Sequence, residues 1–247
     1  MARYVYVLYG VLAYAVFLAT FLYLVAFLAD VPWVRTTIDR GPPGSPGLAL
    51  IIDLSLIGLF GIQHSVMARP SFKKAWTRLV PPPIERSTYI VFASATLIVL
   101  FAFWRPLPAD IWQIENPGIR GIVWTTFALG WCVVLLSTFL INHFELFGLQ
   151  QILQNWRGRT AARPRLHTPL LYKLVRHPLY AGFLVAFWAA PTMSAGHLVF
   201  ALAMSAYVLI AIRFEERDLV ETFGNQYAEY RNRVGMLIPR ISGNVER

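Results

Sequence analysis

The chain is poor in charge. Of its 247 residues, 14% are Asp, Glu, Lys or Arg and 57% are hydrophobic, where a soluble globular protein carries about a quarter charged residues. That scarcity excludes an ordinary water-soluble domain. Cysteine is nearly absent. A single Cys132 excludes an intramolecular disulfide, and no Cys/His group has the spacing of a structural zinc site. Cys132 sits inside an apolar run and reads as a small buried residue with no neighbour to activate its thiol. Acid is scarce too, with 13 acidic against 22 basic residues and a net charge of +9. The basic residues lie in loops between apolar runs, where they orient a chain in a bilayer and meet anionic head groups. Membrane lipid, and not nucleic acid, is the expected macroscopic partner. No small-residue cleavage site follows the first apolar run, Tyr4 to Ala29; Asp30 and Pro32 do, so that run is read as a retained helix, too long for a signal core.

What is present is a series of long apolar runs. A span needs about 20 apolar residues, and segments 4–29, 48–68, 88–104 and 119–141 meet or approach this. A fifth stretch, Leu179 to Ile212, is too long for one span and is interrupted by Pro191-Thr-Met-Ser-Ala-Gly196, which predicts a hairpin of two short helices. The expected fold is therefore all-α: a polytopic membrane bundle of four spanning helices, a C-terminal helical hairpin and a cytoplasmic amphipathic tail helix. As one domain, 1–247, it divides into helices at 1–141, a basic loop at 142–178, the hairpin at 179–213 and the tail at 214–247.

Charge orients it. Segment 69–87 carries Arg69, Lys73, Lys74, Arg78 and Arg86 against Glu85, and segment 142–178 carries Arg157, Arg159, Arg163, Arg165, Lys173 and Arg176 against Glu145. Alternating topology puts both on one face, which the positive-inside rule makes cytoplasmic, with both termini there. In the tail, Leu219, Phe223, Tyr227, Tyr230 and Val234 recur at helical spacing. The segment 157–165 reads as a mobile loop. Gly58 and Gly61 allow close helix contact.

Ionisable residues at membrane depth are costly and point to function. His64 ends the second run, Asn142, His143 and Glu145 end the fourth, His177 opens the hairpin, and Glu215 and Glu216 close it. All fall at the cytoplasmic boundary; Asp53 falls near the opposite one. Taken singly, each fits an ordinary wet helix end. Arg213 with Glu216, and Arg217 with Glu221, have the spacing of plain helix salt bridges. His197 reads as a helix cap on the far side, and His167 as a solvated loop residue.

Three sequence blocks go further: Arg176-His-Pro-Leu-Tyr-Ala-Gly182, then Glu215-Glu-Arg-Asp-Leu219, then Phe223-Gly-Asn-Gln-Tyr-Ala-Glu-Tyr230. They resemble the isoprenylcysteine carboxyl methyltransferase superfamily over about 60 residues in order and spacing. The blocks His64-Ser-Val-Met-Ala-Arg-Pro-Ser-Phe-Lys73, Pro83-Ile-Glu-Arg-Ser-Thr-Tyr89, Trp104-Arg-Pro-Leu-Pro108 with Ile111-Trp112, and Asn142-His-Phe-Glu-Leu-Phe-Gly-Leu-Gln150 resemble, within it, the methanethiol S-methyltransferase family. That resemblance implies a membrane enzyme using S-adenosylmethionine to methylate a small thiol, giving dimethyl sulfide from methanethiol, in a bacterial inner membrane.

It also implies roles. Arg176, His177, Pro178, Tyr180 and Gly182 would line the cofactor. One of Glu215 and Glu216 would take its ammonium, since consecutive helical residues point about 100° apart. Tyr227 and Tyr230 would close over it, or simply pack an amphipathic helix. The thiol must lose a proton, and a cysteine-like thiol has a pKa of about 8.5. Candidates for base or thiolate stabiliser are His64, His143 and Arg86, with Asn142 or Glu145 orienting a histidine. A thiolate meeting a sulfonium annihilates charge, so a dry site at the membrane edge favours the reaction. A prenylcysteine or lipid acceptor, an NADPH-dependent reductase, and a transporter or scaffold remain open alternatives, although no Gly-rich dinucleotide loop supports the reductase.

Overall fold

The computed structural model describes residues 2–159 and 165–240. Its helices are α1 (Ala2–Leu28), α2 (Pro46–Ala68), α3 (Pro70–Trp76), α4 (Glu85–Phe103, entered through a 3₁₀ turn at Pro82–Ile84) and α5 (Pro117–Ile141). They continue with α6 (His143–Leu146), α7 (Leu149–Trp156), α8 (Leu171–Leu174), α9 (Pro178–Trp188), α10 (Ala195–Phe223) and α11 (Asn225–Arg233). Among the described residues, α1, α2, α4 with its lead-in turn, α5 and α10 are long and apolar enough to span a membrane. This is an integral membrane protein of the all-α, polytopic class.

Proline places several helix starts. Pro46, Pro70, Pro117 and Pro178 each occupy the first turn, where the missing N–H costs nothing and φ is already helical. Pro70 also ends α2: Arg69 before it is extended, at φ −70 and ψ 141, as the residue preceding proline prefers. The core runs between the spans as interlocked aromatics, with Phe27, Trp104, Phe187 and Phe200 almost fully buried and meeting edge to face.

The C-terminal hairpin is unequal, where two short arms were expected. The first arm, α9, has 11 residues, about 16 Å of helix and too short to cross. The second, α10, has 29, about 44 Å, and outruns a hydrocarbon core of about 30 Å. At about 1.5 Å per residue Glu215 lies about 30 Å from Ala195, at the edge of that core. The short arm is held by α5. Gly182 and Gly130 face each other, and a Cβ on Gly182 would stand 2.7 Å from the Gly130 carbonyl. Gly182→Ala should therefore destabilise the fold by about 1–3 kcal/mol through overpacking, read as a drop in Tm in detergent; an unchanged Tm would refute the contact.

Two further expectations are corrected. The tail stripe is not one helix: Leu219 and Phe223 finish α10, Gly224 turns the chain at φ +56, and Tyr227 and Tyr230 belong to α11. Cys132 is exposed on α5, because its helix face looks outward. The expected loop at 157–165 falls largely on residues 160–164, outside the described residues. An unanticipated feature is a small antiparallel pair, β1 (Asp110–Gln113) with β2 (Thr192–Ser194), at the end of the bundle opposite the basic loops. There Ser194, not His197, caps α10, accepting from the His197 N–H at 3.0 Å. The buried His197 ring donates instead to the Phe187 carbonyl.

Candidate active site

Two polar corners meet at the basic end of the bundle. The first joins the C-terminal end of α2 to the N-terminal end of α4. His64 Nε2 lies 2.8 Å from Tyr89 Oη, while its Nδ1 is buried without a hydrogen-bond partner among the described residues. Aromatic rings wall the imidazole: Phe60 at 5.2 Å, Tyr89 at 5.1 Å and Tyr207 of α10 at 6.5 Å between centroids. The Arg86 guanidinium sits over the Tyr89 ring at 5.0 Å, anchored by donating from Nε to the Leu146 carbonyl at 2.8 Å. Arg69 leaves α2 to pair with Asp218 at 2.9 Å and lies over Phe214, tying α2 to α10. Burial, reinforced by Arg86, holds the nearby Lys73 ammonium below its usual pKa.

The second corner joins the start of α9 to the end of α10. Tyr180 donates to Glu215 Oε2 at 2.9 Å. Glu216 is committed elsewhere: its Oε1 accepts from Arg176 Nε at 2.7 Å and meets His177 Nε2 at 3.1 Å. The expected Arg213–Glu216 helix pair is thus replaced by a long-range one, because α10 turns Glu216 inward toward a buried guanidinium. Arg176 also donates to the Arg231 and Val234 carbonyls, and the Arg176 and His177 N–H groups donate to the carbonyls of Gly235 and Met236. One guanidinium therefore clamps α10, α11 and the strand after it together. Tyr207, on the same helix as Glu215, brings its ring to the His64 imidazole, so the two corners adjoin as one candidate site.

The two tail tyrosines differ. Tyr230 donates to the Tyr172 carbonyl at 2.6 Å, and burial pushes its phenol up to about 12. Tyr227 is 2% exposed and its hydroxyl has no partner among the described residues; burial, then the charges of Glu216 and Glu215, raise its pKa.

Several expected residues are not brought to these two corners. His143 packs between α1 and α5, stacked on Phe139 at 4.2 Å. Thr138 spends its proton on the Leu135 carbonyl, so His143 Nδ1–H donates to Thr138 Oγ1 at 2.9 Å and Nε2 accepts from Tyr14 Oη at 2.7 Å. Both ring nitrogens are used, and burial holds the pKa down. Asn142 and Glu145 orient no histidine. Asn142 caps the short α6, its Oδ1 accepting from the Glu145 N–H, while its Nδ2 donates to Glu145 Oε2 at 2.8 Å and to Gln150. Gly182 lies against α5, as described above. His167 is exposed.

Sequence reasoning missed Tyr89, Tyr207, Arg69 and Asp218. Tyr89 lay within a motif block and drew no attention because a buried aromatic reads as core. Gly61 was a signal for Tyr207: its close contact is with that ring inside the chain, whereas Gly58 has open space beside it.

Five apolar spans with clusters of paired ionisable groups at one end define a polytopic membrane protein with an enzyme-like polar site at the end of its bundle. The chain is 52% identical over 237 residues to methanethiol S-methyltransferase 1 of Bradyrhizobium diazoefficiens, covering 96% of this chain and 83% of that one. It is 50% identical over 239 residues to methanethiol S-methyltransferase of Mycobacterium tuberculosis, covering 97% and 98%. A Pseudomonas protein of the same name is 48% identical over 233 residues, covering 94% and 89%. No family model matches the chain, and no solved structure does. The chain belongs to the methanethiol S-methyltransferase family.

Proposed function

We propose that this protein is an S-adenosylmethionine-dependent methyltransferase that converts methanethiol to dimethyl sulfide. It acts as one domain at the cytoplasmic edge of a bacterial inner membrane, with both termini inside. The carrying observation is the pair of adjoining polar corners: one holds a buried histidine nitrogen, His64 Nδ1, without a hydrogen-bond partner among the described residues, and the other a carboxylate, Glu215, whose hydrogen-bond donor among the described residues is Tyr180. The sidedness follows from the basic loops, which meet at that end.

The residues suit the cofactor. Glu216 is held through Oε1 by both Arg176 and His177, so Glu215 is the carboxylate to take an ammonium group, a charge-assisted contact. The buried Tyr227 hydroxyl, without a partner among the described residues, is a further polar contact open to the cofactor. His177, Pro178 and Tyr180 form the wall at the start of α9, while Arg176, Glu216 and Tyr230 hold the tail in place. Gly182 seats α9 on α5. When bound, S-adenosylmethionine supplies an electrophilic methyl group on a sulfonium.

The chain's own work is on the thiol. Tyr89 also reaches the His64 carbonyl, at 3.4 Å. With its proton there, Tyr89 Oη accepts from His64 Nε2–H and leaves the Nδ1 lone pair as base. His64 then takes the proton of the methanethiol S–H bond at Nδ1, and the pair left on sulfur becomes the thiolate. Arg86, bonded to the Leu146 carbonyl, lowers the cost of that anion near the Tyr89 ring. The aromatic walls exclude water, which strengthens each of these interactions. Methanethiol is apolar and small enough to arrive through lipid.

Purified protein in detergent, given S-adenosylmethionine and methanethiol, should release dimethyl sulfide into the headspace, read by gas chromatography. Thermal stabilisation by the cofactor without product would move the acceptor to larger thiols or lipids. Neither signal would end the methyl-transfer reading.

A further inference from the structure

Tyr207 stands where the two polar corners adjoin. It comes from α10, two turns before Glu215, and its ring closes on the His64 imidazole at 6.5 Å with an interplanar angle of 78°. It also meets Phe60 edge-on at 5.8 Å. Its third support is backbone. A Cβ on Gly61 would fall 2.9 Å from Tyr207 Cδ2 and 3.3 Å from Cε2, so the ring lies directly on α2 where any side chain would push it away.

We propose that Tyr207, seated on Gly61, is the specificity-determining wall that limits the acceptor to a thiol of one or two carbons. This rests on the methyl-transfer reading above and names its size filter. A ring held by Phe60, His64 and the bare α2 backbone cannot swing aside without losing packing on all three, and interiors resist such shifts. Any chain on the acceptor sulfur that extends past His64 toward α10 meets that ring. One methylene in a tight apolar pocket changes kcat/KM by about 10- to 200-fold, so a wall here separates methanethiol from longer alkyl thiols without any polar contact.

The experiment measures kcat/KM for methanethiol and for 1-butanethiol with wild-type protein, Tyr207→Ala, Gly61→Ala and the double variant. Thermal stabilisation by S-adenosylmethionine checks that each protein is folded. Wild type should prefer methanethiol, and Tyr207→Ala should raise the butanethiol-to-methanethiol ratio by about tenfold or more. Gly61→Ala, which displaces the ring, should alter the ratio alone but not in the Tyr207→Ala background. Should alanine at 207 prevent folding, Tyr207→Leu asks the same question with less volume removed. An unchanged ratio in folded Tyr207 variants, or equal loss of both thiols, overturns the proposal. Loss of methanethiol turnover in wild type would instead overturn the function it rests on.

Discussion

His64→Ala should lower kcat for methanethiol by about 10²–10⁴-fold, the usual contribution of a positioned general base, while S-adenosylmethionine affinity stays near that of wild type. The reason is geometric. Among the described residues His64 keeps one buried nitrogen unpartnered and has the other fixed by Tyr89. His143 has neither nitrogen free. The pH profile separates a base from a packing residue. Without the imidazole, turnover depends on thiolate formed in solution, so the variant's rate should climb about tenfold per pH unit below the thiol pKa, near 8.5 or above, and its deficit should shrink as pH rises. His143→Ala is the control. It strands the Tyr14 hydroxyl, while Thr138 keeps its bond to the Leu135 carbonyl, which should cost about 1–3 kcal/mol of stability for the unpaired group with no change in the shape of the profile. If His64→Ala keeps a wild-type pH profile and kcat, His64 is not the base.

Glu215→Gln should weaken S-adenosylmethionine binding by about 10- to 100-fold, since a hydrogen bond to a charged group contributes about 1.5–3 kcal/mol and each 1.4 kcal/mol is about tenfold in Kd. Isothermal titration on the folded variant reads this directly. The neighbouring Glu216→Gln should behave differently. Its Oε1 is shared by Arg176 and His177, and the Arg176 and Glu216 side chains are 8% and 14% exposed. Removing one partner of a buried ion pair costs about 3–5 kcal/mol, so this change should lower Tm and release the tail that Arg176 clamps, seen as faster proteolysis after Gly224. Equal loss of affinity in both variants, with unchanged Tm in both, would refute the division of labour between the two carboxylates.

That division was out of reach of the sequence. Adjacent glutamates on one helix are chemically identical as letters, and their 100° separation says only that one faces the site. Only the long-range Arg176–Glu216 bond, 40 residues apart in the chain, tells the two carboxylates apart. Similarly, His64 and His143 both end apolar runs. Only packing shows that Tyr14 from the first helix and Thr138 from the fifth spend both nitrogens of one, while the other keeps a nitrogen free.

Some features were legible because their physics is local. The lengths of the apolar runs follow from the thickness of a bilayer, the helix starts from proline's fixed φ, and the common side of the basic loops from alternation. The blocks at 176–182, 215–219 and 223–230 could be read as one site before any coordinate. Other features are set by contacts between distant elements. The β1–β2 pair forms because two loops meet at one end of the bundle, with no alternation in either to announce it. Gly182 reads as room for a ligand until α5 is seen lying on it. Tyr207 reads as lipid-facing or core until Gly61 lets its ring down beside His64. Period and composition report how each residue meets its own helix and the bilayer. Which side chain finds a partner, and which is left free for chemistry, depends on groups brought together from across the chain, and that was settled only by tertiary packing.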